Sequence, residues 1–324
     1  MQVHRDITNL PLFKNAAVTI GTFDGVHSGH LQIINQLKKE AHDNDGESVI
    51  ITFDPHPRMV LNAGKNVSPI KLLNTLPEKI ELLNKQEIDH LVIVPFTKKF
   101  SEQTAEEYIE DFLVSRFHPQ TIIIGYDHHF GKNRKGDYKL LEEYQQKFNY
   151  KVKEIPVHVL HHVTISSTKI RQALCEGDVE TANECLGYDY FFEGRVIDGN
   201  KLGRTLGYPT ANIHVNDENK LVPANGIYAV TVSLENEGHN DHSFAAKTYN
   251  GMMSIGLRPT IGGKNVVIEV NIFDFEEDIY NQNIRVFMKH FLRKEEKFNN
   301  IEELKTAMNN DKILTQTLLN KPSK

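Results

Sequence analysis

Several things are scarce in this sequence, and each scarcity excludes a class. Of 324 residues only two are cysteine, Cys175 and Cys185. Two thiols exclude a disulfide framework and a four-cysteine zinc site, and they point to a reducing, cytoplasmic setting. Long apolar runs are missing. Stretches such as 91–94 and 122–124 are strand-sized, so no membrane span is expected, and residues 1–14 do not read as a signal peptide. A basic excess is missing too. With 37 Lys and Arg against 43 Asp and Glu, the net charge is -6, which provides no field for nucleic acid or an anionic membrane. There are 16 histidines, but the adjacent pairs at 128–129 and 161–162 lack the spacing of metal ligands and read as loop residues.

What is present fits a soluble two-domain protein, with 39% hydrophobic and 25% charged residues. The first half alternates. Apolar runs at 16–20, 48–53, 90–96, 121–125 and 150–157 predict strands, and helical spacing covers 30–41, 76–86, 104–117, 138–148 and 167–176. Pro77 suits a first helical turn, and Thr104 with Glu107 forms a capping-box pattern. Such alternation predicts a mostly parallel sheet covered on both faces. After about Gly187 the texture changes. Strands are expected at 192–197, 210–215, 227–234, 244–249, 266–275 and 284–291, separated by Gly, Asn and Asp. These predict an antiparallel sheet or small closed barrel, finished by a helix over 301–319. The expected domains are 1–186 and 187–324.

Two constellations carry chemistry. Gly21-Thr22-Phe23-Asp24-Gly25-Val26-His27-Ser28-Gly29-His30 links the first predicted strand to the first helix. Glycines there let backbone N–H groups and a helix N-terminus approach a phosphate. It is neither the Gly-x-Gly-x-x-Gly fingerprint nor a P-loop. His27 and His30, three apart, share a face and can donate to oxygens that gain charge in a transition state. A second cradle, Ser166-Ser167-Thr168-Lys169-Ile170-Arg171, opens the last helix of this half; alone it is equally well a serine cap with a solvated arginine.

The other constellation is Gly194-Arg195-Val196 through Gly199, Gly203-Arg204 and Gly207-Tyr208-Pro209-Thr210-Ala211-Asn212. Its glycines permit a tight loop over phosphates, Lys201 and Arg204 add charge, and Thr210 and Asn212 offer oxygen ligands for a hard cation. Glu269 stands among β-branched residues at 266–275. It either faces solvent or faces Thr210 and takes a proton from a hydroxyl, and alternation leaves both open.

The first loop, taken with Ser166-Ser167-Thr168-x-x-Arg171, resembles the nucleotidylyltransferase superfamily. Thr52-Phe53-Asp54-Pro55-His56-Pro57 and Gly125-Tyr126-Asp127-His128-His129-Phe130-Gly131 narrow the resemblance to the FMN adenylyltransferase module of bacterial bifunctional riboflavin kinase/FAD synthetases, where Phe usually stands at the place of His128. The second constellation resembles the riboflavin kinase module, extended by Asn225-Gly226-Ile227-Tyr228, Ser254-Ile255-Gly256-Leu257-Arg258-Pro259-Thr260 and Arg285-Val286-Phe287 through Phe291-Leu292-Arg293. Ile261 stands where that family often has Phe. The resemblance covers about residues 15–320 and rests on many motifs.

It implies a Rossmann-like α/β domain followed by a small antiparallel β-barrel with a C-terminal helix. It also implies two reactions: riboflavin and ATP give FMN in the barrel, and FMN and a second ATP give FAD and pyrophosphate in the first domain. It assigns Gly21, Phe23, Gly29, Ser167, Thr168 and Arg171 to the nucleotide of adenylyl transfer, with His27 and His30 catalytic. Gly199, Lys201, Gly203, Thr210 and Asn212 fall to the kinase nucleotide, Thr210 and Asn212 to Mg²⁺, and Glu269 to the catalytic base. Asp54, Asp127, Arg258 and Arg285 fall to the flavin. ATP is the expected co-substrate, small molecules are the only expected partners, and the chain is expected to be a monomer or weak homo-oligomer in the cytoplasm. Two alternatives remain: an adenylyltransferase with a non-catalytic barrel, and a flavin-binding protein that consumes no ATP.

Overall fold

The computed structural model describes the chain apart from residues 127, 156–164, 200–202, 204–206, 237–243, 261–262 and 321–324, and apart from the side chains of 258–260 and 263–265. The chain divides into two compact units, Met1–Ser167 and Thr168–Lys324.

The first unit is built on a six-stranded parallel sheet. Its strands are β1 (Gln2–His4), β2 (Ala17–Ile20), β3 (Ser48–Asp54), β4 (His90–Pro95), β5 (Thr121–Gly125) and β6 (Lys151–Ile155), in the order β1-β4-β3-β2-β5-β6. The chain steps from β2 outward to β3 and β4, then returns to lay β5 on the other side of β2. The carboxyl end of β2 is therefore at a topological switch point, the place where open α/β sheets bind ligands.

Apolar residues on both faces explain the parallel sheet: Val18, Ile20, Val49, Ile51, Val92, Val94, Ile122 and Ile124 share one face and pack with Phe112, Leu113 and Phe117, while Ala17, Ile50, Leu91, Ile93 and Ile123 are buried on the other. Helix α1 (Ser28–Asp43) packs on β2, β3 and β5 and buries Ile34 and Leu37. Helix α2 (Pro57–Asn62) is capped by His56, and α3 (Leu76–Asn84) by a Thr75/Glu78 capping box with Pro77 in its first turn. Next come the single turn α4 (Lys98–Ser101) and α5 (Ala105–Glu107), which starts with the expected Thr104/Glu107 capping box. A π-helical stretch, Tyr108–Val114, runs on from α5 into α6 (Ser115–Phe117). Helix α7 (Tyr138–Phe148) precedes β6.

The second unit begins with α8 (Ser167–Glu176), from Thr168 onward, and α9 (Val179–Leu186). Six antiparallel strands follow: β7 (Phe191–Ile197), β8 (Ala211–His214), β9 (Gly226–Glu235), β10 (Phe244–Thr260), β11 (Gly263–Ile272) and β12 (Asn283–Arg293). They close into a barrel in the order β10-β11-β8-β7-β12-β9, as the sequence of alternating strands with no intervening long helix predicts. Helix α9 is tied to the barrel by Asn183, whose amide donates to the Met288 carbonyl at 2.8 Å and accepts from Tyr190 N at 2.7 Å. Helix α10 (Ile301–Leu319) packs on β9, β10 and β12.

Two candidate active sites

The first candidate site is the loop between β2 and α1. Its backbone is wound tightly: Phe23, Gly25 and Val26 all have positive φ, at 46°, 91° and 37°. A positive φ at a β-branched valine is strained and persists only where surroundings enforce it. They do so here. The buried Asp24 carboxylate accepts from Leu73 N at 3.0 Å and Asn74 N at 3.2 Å, pinning the loop to the segment that leads into α3. From the other side the Ser167 hydroxyl donates to the Asp24 carbonyl at 2.8 Å. The rings beside Gly21 and Gly29 crowd both positions: a Cβ at Gly21 would press the Phe23 ring at 3.1 Å, and one at Gly29 would press the His27 ring at 3.2 Å.

His27 is the N-cap of α1. Its Nδ1 accepts from His30 N at 3.3 Å, which leaves the proton of the neutral ring on Nε2. The two imidazoles stack with centroids 3.7 Å apart, the shared face the spacing predicts. Burial, then the neighbouring His27 and Lys79, holds His30 well below the ordinary histidine range, so its ring is neutral at pH 7. Its Nδ1 is buried and has no hydrogen-bond partner among the described residues. An unpaired buried donor or acceptor is costly, and a phosphate oxygen or ribose hydroxyl is the kind of group that would complete it.

The sequence-predicted residues of this site separate as follows. Gly21, Phe23, His27, Gly29, His30 and Ser167 are gathered at the loop. Asp54 ends β3, which lies beside β2, and is exposed. Thr168 and Arg171 are on α8, one turn apart. Asp127 is outside the described residues. Lys79 was not foreseen. It is buried on the inner face of α3, and its Nζ makes a long hydrogen bond, 3.5 Å, to the Thr52 hydroxyl, which donates to the Thr22 carbonyl at 3.2 Å. The one sequence signal for it is its place three and four residues before Leu82 and Leu83, on the buried face of α3, which it shares with them and with Glu78.

The second candidate site is on the barrel. Asn212 of β8 pairs with Glu269 of β11 on one side and Ile197 of β7 on the other. In that register Glu269 is cross-strand neighbour to Asn212, and it is half-buried between the buried Ile268 and Val270. The glycines of the loop close on the same residues. A Cβ at Gly199 would overlap the Asn212 side chain, and one at Gly203 would reach Thr210 Oγ1 at 3.1 Å. Asn271, unread in the sequence, is buried two residues along from Glu269, and its amide donates to the Pro209 carbonyl at 2.6 Å, fixing the bend before Thr210.

Arg285 is not part of this group. Its side chain is buried between Phe191 and Phe244, with the guanidinium carbon 4.4 and 4.3 Å from the ring centroids, and Nε donates to Glu193 at 3.0 Å. Glu193 is four residues along β7 from Ile197, about 13 Å at strand spacing. Lys201 and Arg204 are outside the described residues, as are His161 and His162, and the Arg258 side chain is too. Among the described residues no cluster of three His, Cys, Asp or Glu could hold a metal, and no helix is long and apolar enough to cross a membrane.

The sequence profile of the FAD synthetase family matches residues 11–169, and that of the riboflavin kinase family matches residues 186–319. Over 312 residues, 96% of this chain and 97% of the relative, the chain is 36% identical to a bifunctional riboflavin kinase/FMN adenylyltransferase of Haemophilus influenzae. The protein of that name from Escherichia coli K12 is 31% identical over the full length of both chains. This chain belongs to the bifunctional riboflavin kinase/FMN adenylyltransferases.

In this family member the two activities divide as the two profiles do. The parallel-sheet unit carries FMN adenylylation, and the barrel carries riboflavin phosphorylation. A Listeria monocytogenes relative of the same description is 37% identical over 95% of this chain and 93% of its own. Among solved structures, a chain from Streptococcus pneumoniae described as a macrolide-efflux protein has the same fold, with a TM-score of 0.83, 28% identity, and 97% and 98% of the two chains covered. That description is of the Streptococcus protein alone.

Proposed function

We propose residue roles for the two reactions, with the functional border at 186/187. The barrel site transfers the γ-phosphoryl group of ATP to the terminal ribityl hydroxyl of riboflavin. The hydroxyl oxygen forms a bond to the γ-phosphorus, the bridging bond to the β-phosphate breaks, ADP leaves, and the hydroxyl proton passes to Glu269. The glycines at 199 and 203 let phosphate oxygens approach the backbone, and Lys201 adds charge. The observation that carries this assignment is the pairing of Glu269 with Asn212 under those two glycines.

Thr210 and Asn212 carry hard oxygen atoms, Oγ1 and Oδ1, beside Gly203 and Gly199, a donor type suited to Mg²⁺. When bound, the cation supplies neutralisation of phosphate charge. Asn271 holds the Pro209 carbonyl and so keeps Thr210 aimed at the nucleotide.

At the other site an FMN phosphate oxygen attacks the α-phosphorus of a second ATP and pyrophosphate leaves. No covalent enzyme intermediate is required. Gly21, Phe23 and Gly29 shape the backbone cradle; Ser167, Thr168 and Arg171 take phosphate oxygens; His27 and His30 donate to the oxygens that gain charge. Asp54 and Asp127 serve the flavin here, as Arg258 and Arg285 do in the barrel, Arg285 acting through the aromatic rings that enclose it. The partners are small molecules, the chain acts in the cytoplasm as a monomer or weak homo-oligomer, and neither nucleic acid nor membrane takes part.

Product analysis tests these roles. Riboflavin, ATP and Mg²⁺ are incubated with the protein and flavins are separated over time, with FMN expected first and FAD second. His30→Ala should lower FAD formation by about 10²-fold and spare FMN formation. Glu269→Ala should stop FMN formation and still give FAD from added FMN. Loss of both activities in either folded variant overturns the two-site assignment.

A further inference from the structure

A lysine is an expensive residue to bury, and α3 buries one beside a phosphate-handling loop. Lys79 is 6% exposed and shares its helix face with Leu82 and Leu83. An aliphatic residue would satisfy packing there without stripping water from an ammonium group. What the lysine adds is charge in a particular place. The carboxylates acting on it are Asp24 of the loop and Asp54 at the carboxyl end of β3. Both belong to a site that must accept a triphosphate and a flavin phosphate, and two uncompensated carboxylates would repel each of them.

Lys79 is also tied to the loop backbone. Its Nζ reaches the Thr52 hydroxyl, and that hydroxyl donates to the Thr22 carbonyl. Asp24 closes the same circuit from the other end, since it accepts from Leu73 and Asn74, the two residues before the Thr75 cap of α3. The helix that carries the ammonium is thus held by the loop that the ammonium serves.

We propose that Lys79 is a positioning residue for adenylyl transfer: its buried ammonium offsets the carboxylates of Asp24 and Asp54 at the phosphate site, and through Thr52 it holds the strained Phe23–Val26 turn and the stacked His27/His30 pair in register. The proposal rests on the assignment of this loop to FMN adenylylation. The charged and titratable groups that act on His30 are His27 from its own turn and Lys79 from α3; those that act on Lys79 are Asp24 and Asp54. Removing the ammonium therefore relieves one of the forces that keep His30 neutral, and His30 must take up a proton at higher pH than before.

The test uses the full chain and Lys79→Met, Lys79→Arg and His30→Ala. FAD formation from FMN is followed against pH and against ATP concentration, with FMN formation in the barrel as an internal reference. Lys79→Met should raise KM for ATP about 10-fold and cut kcat/KM for FAD formation about 10²-fold, leave FMN formation unchanged, and move the acid limb of the FAD profile to higher pH. Lys79→Arg should keep the acid limb where it is in the parent protein, since the charge is retained. Lys79→Gln, neutral but able to bond Thr52, replaces the methionine variant if that one does not fold.

A lysine that only filled space would lower thermal stability without moving the pH profile. FAD kinetics within twofold of the parent in folded Lys79→Met, or a loss with no shift of the acid limb, overturns the proposal while a low activity of His30→Ala leaves the site assignment standing. Full FAD formation by His30→Ala overturns the site assignment and the proposal with it.

Discussion

His30 keeps part of its surface open, yet burial of the rest of its ring holds it below the usual histidine value of 6.5. Because the folded value is lower than the unfolded one, the unfolded chain binds the extra proton first as pH falls. Stability of the first unit is therefore whole above pH 6.5 and declines below it, until His30 titrates in the folded state too. Chemical unfolding at pH 7.5 and pH 5.5 checks this: the His30→Ala variant should lose less stability between the two than the parent. The barrel glycines make a second residue-scale prediction. Gly199→Ala introduces a methyl group into the Asn212 side chain, so kcat/KM for FMN formation should fall about 10-fold while FAD formation from FMN is unchanged. At this scale the sequence told part of the story. His27, His30 and the glycines were legible because their spacing is local. That Asn212 is the neighbour of Glu269 follows only from the β8–β11 register, and the partners of Lys79 and Asn271, Thr52 and Pro209, lie 27 and 62 positions away.

Elements with a clear period were read closely. Thr121–Gly125, Tyr138–Phe148, Ser167–Glu176 and Ile301–Leu319 have the bounds that their apolar spacing predicts. Strand β10 runs from Phe244 to Thr260, well past the expected 249, because Gly251, Ser254 and Gly256 interrupt the apolar pattern without interrupting the ladder to β11. Helix α9 went unread although Asp178 caps its start and Gly187, at φ 81°, ends it, since eight residues are too few for a period to stand out. Strand β1 is three residues long and has no period at all. At this scale α10 makes a prediction. Arg293 at the end of β12 forms a two-armed pair with Asp311 at 2.9 and 2.8 Å, and Asp311 is buried. Asp311→Ala should cost the second unit about 2 kcal/mol in urea unfolding, by loss of a charged hydrogen-bonded pair.

For the molecule as a whole, the two-part reading of the sequence and the matching family profiles agree, while the compact units part at 167/168, ahead of α8 and α9. The reason is in the packing: Ala224 N donates to the Leu174 carbonyl of α8, and Asn183 of α9 holds both Met288 and Tyr190. A fragment covering 168–324 should accordingly melt several degrees above one covering 187–324, by calorimetry, because the shorter piece strips these carbonyls and amides of their partners. The barrel closure reaches beyond folding. A closed ring of strands offers a neighbouring chain no unpaired ladder, whereas an open sheet leaves two. In the first unit those two borders are β1, too short to template a partner, and β6, which carries the exposed charged side chains of Lys151, Lys153 and Glu154. Among the described residues, crowded copies of this enzyme thus meet charge or brevity at both open strand borders, a defence against fibrillar association built into its outermost strands.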